Sequence, residues 1–238
     1  MQTLAAQQKD NLCGPFWAAR ILRDAGFAEW DEDEIALRAG TVLPDPDEGS
    51  VPPGAESRTG YRFELPRAAP AAAGTAAGAL AAAIEAASGE ALRCLPLRGP
   101  WDAATVEALL GLRGVRLLAN VRTGAFWGSR PELELLLAEL RGEQVEGPPP
   151  DWDVGHFCEL ELLVRGPGGS LVVVHDSYPE FGVGGRHLQP PRVVAAALAR
   201  GDGREGGVLA IGPETAAAEQ LARTLGLDMR IWDNGTSR

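Results

Sequence analysis

The sequence predicts an α+β fold in which a helical N-terminal part packs on a mainly antiparallel β-sheet. Three observations carry this. Helical periodicity with start and stop signals occupies about residues 1–90. Strand alternation gathers at about 91–212, around the strongest hairpin of the chain. The 238 residues are 45% apolar and 23% charged, an ordinary globular balance that can bury a substantial core. One domain over 1–238 is the natural reading, closed by a helix at about 213–228.

The elements follow in order. Gly14–Ala25 reads as a helix, because Pro15 suits a first turn, Gly26 suits the stop, and Phe16, Ala19, Ile21 and Leu22 give an apolar face. Asp31 with Glu34 three residues on forms a capping box for a short helix ending at Gly40. Leu43–Arg67, with five prolines, reads as a solvated loop or, alternatively, a flap over a cleft. Ala71–Ala87 reads as a plain helix. Leu92–Leu97 reads as a strand, Asp102–Leu112 as a helix and Val115–Val121 as a strand. Glu132–Arg141 reads as an amphipathic helix with Leu133, Leu136, Leu137 and Leu140 on one side. The hairpin pairs His156–Val164 with Ser170–Asp176 across Arg165–Gly169. Val193–Ala199 and Thr215–Leu225 read as helices flanking a strand at Val208–Ile211.

A net charge of −11, with no arginine cluster interleaved with aromatics, argues against nucleic acid as a partner. Cys13, Cys94 and Cys158 make an odd, sparse set with no CxxC pair, unlike a disulfide framework. No run approaches the roughly 18 apolar residues of a membrane span, and Met1–Asp10 lacks a signal-peptide stretch. A cytoplasmic location without a membrane partner is the expectation. Alanine, glycine and proline are abundant and Lys9 is the only lysine, as in a GC-rich bacterial genome. The histidines are His156, His175 and His187, without a metal-ligand spacing, so no metal or cofactor is expected.

The chemistry concentrates in three residues. Cys13 stands at the mouth of an amphipathic helix, where about half a positive charge favours thiolate. Cysteine is also a common inert core residue, but the polar run Gln7–Asn11 upstream favours a nucleophile over packing. His156 opens the strongest strand, and alternation puts His156, Cys158, Leu160 and Leu162 on one face, with Phe157, Glu159 and Glu161 on the other. If the loop is Arg165–Gly169, Cys158 faces Asp176, and His156 lies diagonal to Asp176 within side-chain reach. A one-residue slip would reverse this. His175 falls on the opposite face. Thiolate, imidazole and carboxylate then have the roles of nucleophile, base and orienter. An oxyanion needs donors: the Cys13 N–H is one, and the amide of Gln7 or Gln8 a second. Gln8, Trp17, Trp152 and Tyr178 are the candidate substrate-binding residues.

These residues resemble papain-like cysteine peptidases, nearest to the bacteriocin-processing type that removes double-glycine leaders. The resemblance rests on Gln7 six residues ahead of Cys13-Gly14-Pro15, on Gly155-His156-Phe157, and on Val172-Val173-Val174-His175-Asp176-Ser177-Tyr178-Pro179. The helix-then-strand unit Asp102–Val121, and Arg186-His187-Leu188 before a helix and Val208–Ile211, follow the same order. It implies a papain-like fold with Gln7 as oxyanion donor, Cys13 as nucleophile, His156 as base and Asp176 as orienter. Phe16-Trp17 and Ser177 depart from the family pattern, and substrate class is not carried over. The function implied is a cysteine-dependent hydrolase or acyl transferase acting on a peptide or small amide through a Cys13 thioester. The alternative is a non-catalytic peptide-binding protein that retains the cleft. A redox thiol at Cys13 ranks last, since no resolving cysteine is near in sequence.

Overall fold

The computed structural model describes residues 7–46 and 51–236. In chain order the elements are α1 (Cys13–Asp24), α2 (Glu32–Arg38), β1 (Leu43–Pro44), β2 (Arg67–Ala68), α3 (Ala77–Ala87), β3 (Arg93–Leu97), α4 (Ala103–Leu109) and β4 (Arg116–Arg122). There follow α5 (Leu133–Leu140), β5 (Gly155–Arg165), β6 (Ser170–His175), β7 (Arg186–Gln189), α6 (Pro191–Ala199), β8 (Gly207–Gly212) and α7 (Ala216–Leu225).

The centre is a six-stranded sheet of order β3-β8-β4-β5-β6-β7, antiparallel throughout. Helices cover both faces. On one face Phe16, Ile21 and Leu22 of α1 and Leu80 and Ile84 of α3 pack with Leu118, Phe157 and Leu209. On the other, Val106 of α4, Val194 and Leu198 of α6 and Ala218 and Ala222 of α7 pack with Val121, Cys158, Leu160 and Val174. Each fully buried Leu, Ile or Phe contributes about 1.5–3 kcal/mol of transfer free energy. The chain is thus α+β with a mainly antiparallel sheet.

Most element readings hold within a residue or two. The capping box of α2 forms: the Asp31 carboxylate accepts from the N–H groups of Asp33 and Glu34, and Glu34 accepts from the Asp31 N–H. Several expectations need correcting. The helix expected from Ala71 begins at Ala77. Residues Pro70–Ala72 instead form a short 3-10 turn, and Gly74, at φ +122°, pairs with Val42. The leucine side of α5 is not its buried side. Leu133 is 67% exposed, whereas Ala138 and Glu139 are buried, and Glu139 takes a bond of 2.6 Å from Arg192. The hairpin differs in register, because Arg165 rather than Val164 pairs with Ser170, leaving Gly166–Gly169 as the loop.

That slip is undone before the site. A bulge between Leu160 and Leu162 adds one residue to β5, so Glu159 pairs with His175 and the ladder points Cys158 at Asp176. Beyond the bulge the alternation reverses. Leu163 packs with the Cys158–Leu160 face, and Leu162, expected there, is 45% exposed.

The proline-rich segment after β1 is irregular, as its composition suggests, and its described part is fastened to the N-terminal segment. The Asp10 carboxylate accepts from the Ser57 hydroxyl at 2.5 Å and the Arg58 N–H at 3.0 Å. The Tyr61 hydroxyl donates to the Asp10 carbonyl at 3.0 Å. These bonds hold the chain that leads into Cys13.

Candidate active site

Cys13 is the first residue of α1, and no side chain caps that helix. Its leading N–H groups therefore have no intrahelical acceptor, and a negative group placed there is stabilised. The backbone N–H groups of Phe157 and Gly14 lie near the sulfur and favour its charged form. Gly14 lets the helix mouth sit this close to β5. A Cβ on it would stand 3.0 Å from a Leu80 methyl and 3.3 Å from the Phe157 ring. Position at the mouth and proximity to β5 thus come from the same Cys-Gly pair.

His156 comes from the start of β5 and is 2% exposed. Its Nε2 lies 3.2 Å from Asp176 Oδ1, and its ring is close enough to the Cys13 thiol for the two to interact electrostatically. With Nε2 engaged by Asp176, Nδ1 is the nitrogen left for sulfur. Asp176, immediately after β6, is 4% exposed and is fixed by the Tyr178 N–H, which donates to the same Oδ1 at 3.0 Å. His156 therefore stands between a buried carboxylate, Asp176, and the half-buried thiol of Cys13.

Charge follows this geometry. Burial alone would push the Cys13 thiol up, but the attraction of His156 outweighs it, and the thiol is lowered. Burial likewise opposes the imidazolium, yet the charges of Asp176 and Cys13 raise His156 to about 10. The two shifts both favour the thiolate–imidazolium form of the pair. Cys94 and Cys158, by contrast, are raised by burial and then by neighbouring carboxylates.

Aromatic rings close over the His156–Asp176 pair. Trp152 meets His156 edge-on at 5.2 Å and Tyr178 at 5.5 Å, while Tyr178 stacks beside His156 at 6.2 Å. They shield the 3.2 Å His156–Asp176 contact from water and strengthen it. Beside them opens a cleft of ≈ 440 Å³ lined by Gln8, Asn11, Cys13, Trp152, His156 and Tyr178, among others. A cleft of this size suits a small ligand or a short peptide segment.

The structure brings Gln8, Trp152 and Tyr178 to the cleft but not Gln7 or Trp17. The Gln7 amide donates to the Glu56 carbonyl at 2.6 Å, apart from the residues lining the cleft. The turn Lys9–Leu12 intervenes and gives the inner position to Gln8, which is 2% exposed. Trp17 is fully buried in the core and meets His175 edge-on at 4.9 Å on the other face of the sheet. It sits one turn into α1, on the side that packs inward.

Two residues at the site carried no assigned role in the sequence reading. Ser177 donates from its hydroxyl to Gln8 Oε1 at 2.5 Å and lies 3.4 Å from His156 Nε2. Asn11 adopts φ +62° in the turn ahead of Cys13 and lines the cleft. A polar residue in the Asp-Asn turn just before the helix was the available signal. Among the described residues no group of His, Cys, Asp and Glu is disposed to hold a metal ion, and no helix is long and apolar enough to cross a membrane.

The chain belongs to a protein family: residues 1–233 match the model described as "Family of unknown function (DUF6885)". No curated protein and no solved structure matches it.

Proposed function

We propose that this member of the DUF6885 family is a papain-like, cysteine-dependent hydrolase or acyl transferase that cleaves a peptide or small amide bond through a Cys13 thioester. The observation that supports this most is that Cys13 and His156 line one cleft, with the buried Asp176 3.2 Å behind the imidazole. A protein that only bound peptides would have no use for a lowered thiol at an uncapped helix mouth.

The steps follow from the contacts. The Cys13 thiolate attacks the substrate carbonyl carbon, forming a C–S bond and moving the π pair onto oxygen. When the oxyanion collapses, the C–N bond breaks and the His156 imidazolium gives its proton to the departing amine. Neutral His156 then takes a proton from water, or from an acceptor amine, as that nucleophile attacks the thioester. Collapse breaks C–S and restores thiolate and imidazolium. Asp176 holds the ring with one nitrogen toward sulfur. Water gives a hydrolase and an amine gives a transferase.

The test is covalent trapping. Incubation with candidate peptides and amides, followed by mass spectrometry of tryptic fragments, should find an acyl adduct on Cys13. The trapped compound then serves as substrate. Cys13→Ala should abolish its turnover while circular dichroism shows the fold intact. Turnover by Cys13→Ala at the parent rate would exclude the thioester route. Unchanged ligand affinity together with no turnover in the parent protein would point to the binding reading instead.

A further inference from the structure

The second oxyanion donor is the part of the site that the glutamines do not supply. Gln7 points to Glu56. Gln8 reaches the cleft, but its amide is spent. Nε2 donates to the Lys9 carbonyl at 3.1 Å and the Tyr178 hydroxyl at 3.2 Å, and Oε1 accepts from Ser177 at 2.5 Å. An amide nitrogen has two hydrogens, and both are engaged. Gln8 therefore ties the N-terminal segment to the Ser177–Tyr178 strand end.

Asn11 is in the opposite condition. Its Nδ2 is buried and has no hydrogen-bond partner, one of few such atoms among the described residues. A buried donor without an acceptor is costly and calls for an explanation. Asn11 lines the same cleft as Cys13 and His156 and stands two residues ahead of the nucleophile. The turn that holds it is fixed by the Leu12 N–H donating to the Lys9 carbonyl at 3.0 Å, and it places Asn11 at φ +62°. That is a left-handed conformation, which Asn tolerates and most residues do not.

We infer that Asn11 is the side-chain donor to the oxyanion formed when Cys13 attacks a carbonyl, acting with the Cys13 N–H at the helix mouth. This rests on the thioester reading above. As the C–S bond forms, the carbonyl π pair moves to oxygen, and the Asn11 amide and Cys13 N–H donate to that oxygen without giving up their protons. On collapse the pair returns to restore C=O, the C–N bond breaks, and both donors are released. Nδ2 is enclosed in the wall of the cleft, so the amide swings toward the oxygen as the substrate arrives, and catalytic hydrogen bonds of this kind tighten only then.

Two reagents separate this role from a merely structural one. p-Nitrophenyl acetate acylates a thiolate through an oxyanion, whereas iodoacetamide alkylates it by displacement at a CH₂ group with no oxyanion. Asn11→Gly keeps the left-handed turn and deletes the amide. It should lower Cys13 acylation on the order of a hundredfold, while alkylation stays within about twofold of the parent. Asn11→Asp keeps the side-chain shape, removes the donor and serves if the glycine variant fails to fold. Its ratio of acylation to alkylation should fall similarly. Acylation at the parent rate, or an equal fall in both reactions, would overturn the assignment, the latter because it marks a turn-holding residue. If Cys13 of the parent protein does not alkylate ahead of Cys94 and Cys158, the thioester reading itself falls, and the assignment with it.

Discussion

Asp176→Asn tests the electrostatic core of the site. The carboxylate Oδ1 lies 3.2 Å from His156 Nε2, and both side chains are 2% exposed. At that separation and an effective dielectric constant of about 20, the attraction to an imidazolium is at most about 5 kcal/mol. One pKa unit corresponds to about 1.36 kcal/mol, so losing the charge lowers His156 by up to about four units. From about 10 in the parent, the imidazole would reach roughly 6 and be neutral at pH 7. Cys13 then loses the cation that outweighs its burial, and its thiol climbs back to or beyond the ordinary value of about 8.5. Less than about 1% of such a thiol is ionised at pH 6. Pseudo-first-order alkylation of Cys13 by iodoacetamide, followed from pH 5 to 10 by mass spectrometry, reads this out. The parent rate should vary less with pH than the variant's, because His156 holds the Cys13 thiol lowered. The variant should be tenfold or more slower at pH 6, rise steeply with pH and approach the parent near pH 9–10. Superimposable profiles would refute the claim that Asp176 sustains the ion pair.

In the parent protein Cys13 should alkylate well ahead of Cys94 and Cys158 at pH 7, because burial raises those two thiols; peptide mapping after limited labelling checks the order. Gly14→Val should cost about 1–3 kcal/mol by urea unfolding and slow Cys13 alkylation at pH 6, since its side chain displaces Leu80 and Phe157 from beneath the helix mouth. His187 is 6% exposed and burial pushes its pKa down to about 4, whereas the unfolded side chain titrates near 6.5. The unfolded chain therefore binds the extra proton in that window, so this contribution is intact above about pH 6.5 and fades as pH falls toward 4. Between pH 7 and 4.5 it removes about 2 kcal/mol; His187→Phe should lose that much less stability over the same interval, and equal losses in both proteins would contradict the neutral, buried assignment.

Much of the site was legible because its signals are local. The Cys13-Gly14-Pro15 start places a helix mouth, and Gly155-His156 opens a strand whose alternation keeps His156 with Cys158. The Asp31–Glu34 box reads directly as a helix start. What was not legible depends on parity and on distant partners. A five-residue loop gave the right facing of Cys158 and Asp176 by way of a wrong register at the turn, and a bulge at residue 161, with no glycine to announce it, corrected one error with another. The choice between Gln7 and Gln8 turns on a bend at Lys9–Leu12 and on Ser177 and Tyr178, far along the chain. Leu133 and Leu137 look like a core stripe, yet the face of α5 that packs is set by Arg192 reaching Glu139. Trp17, a candidate substrate-binding residue, is carried by the next turn of helix into the core.

The tie between Gln8 and Ser177 has a consequence for the order in which the protein comes into being. The two side chains that meet at 2.5 Å are separated by 169 positions. During synthesis the segment bearing Cys13 leaves the ribosome early, whereas His156, Asp176 and Ser177 are among the later arrivals. Until the hairpin forms, no imidazolium stands beside the sulfur, and Cys13 is an ordinary thiol of pKa about 8.5. Truncated or half-made chains therefore carry a muted cysteine. Its ionisation marks the completed fold, and labelling it at mildly acidic pH would count finished molecules in a mixture with unfinished ones.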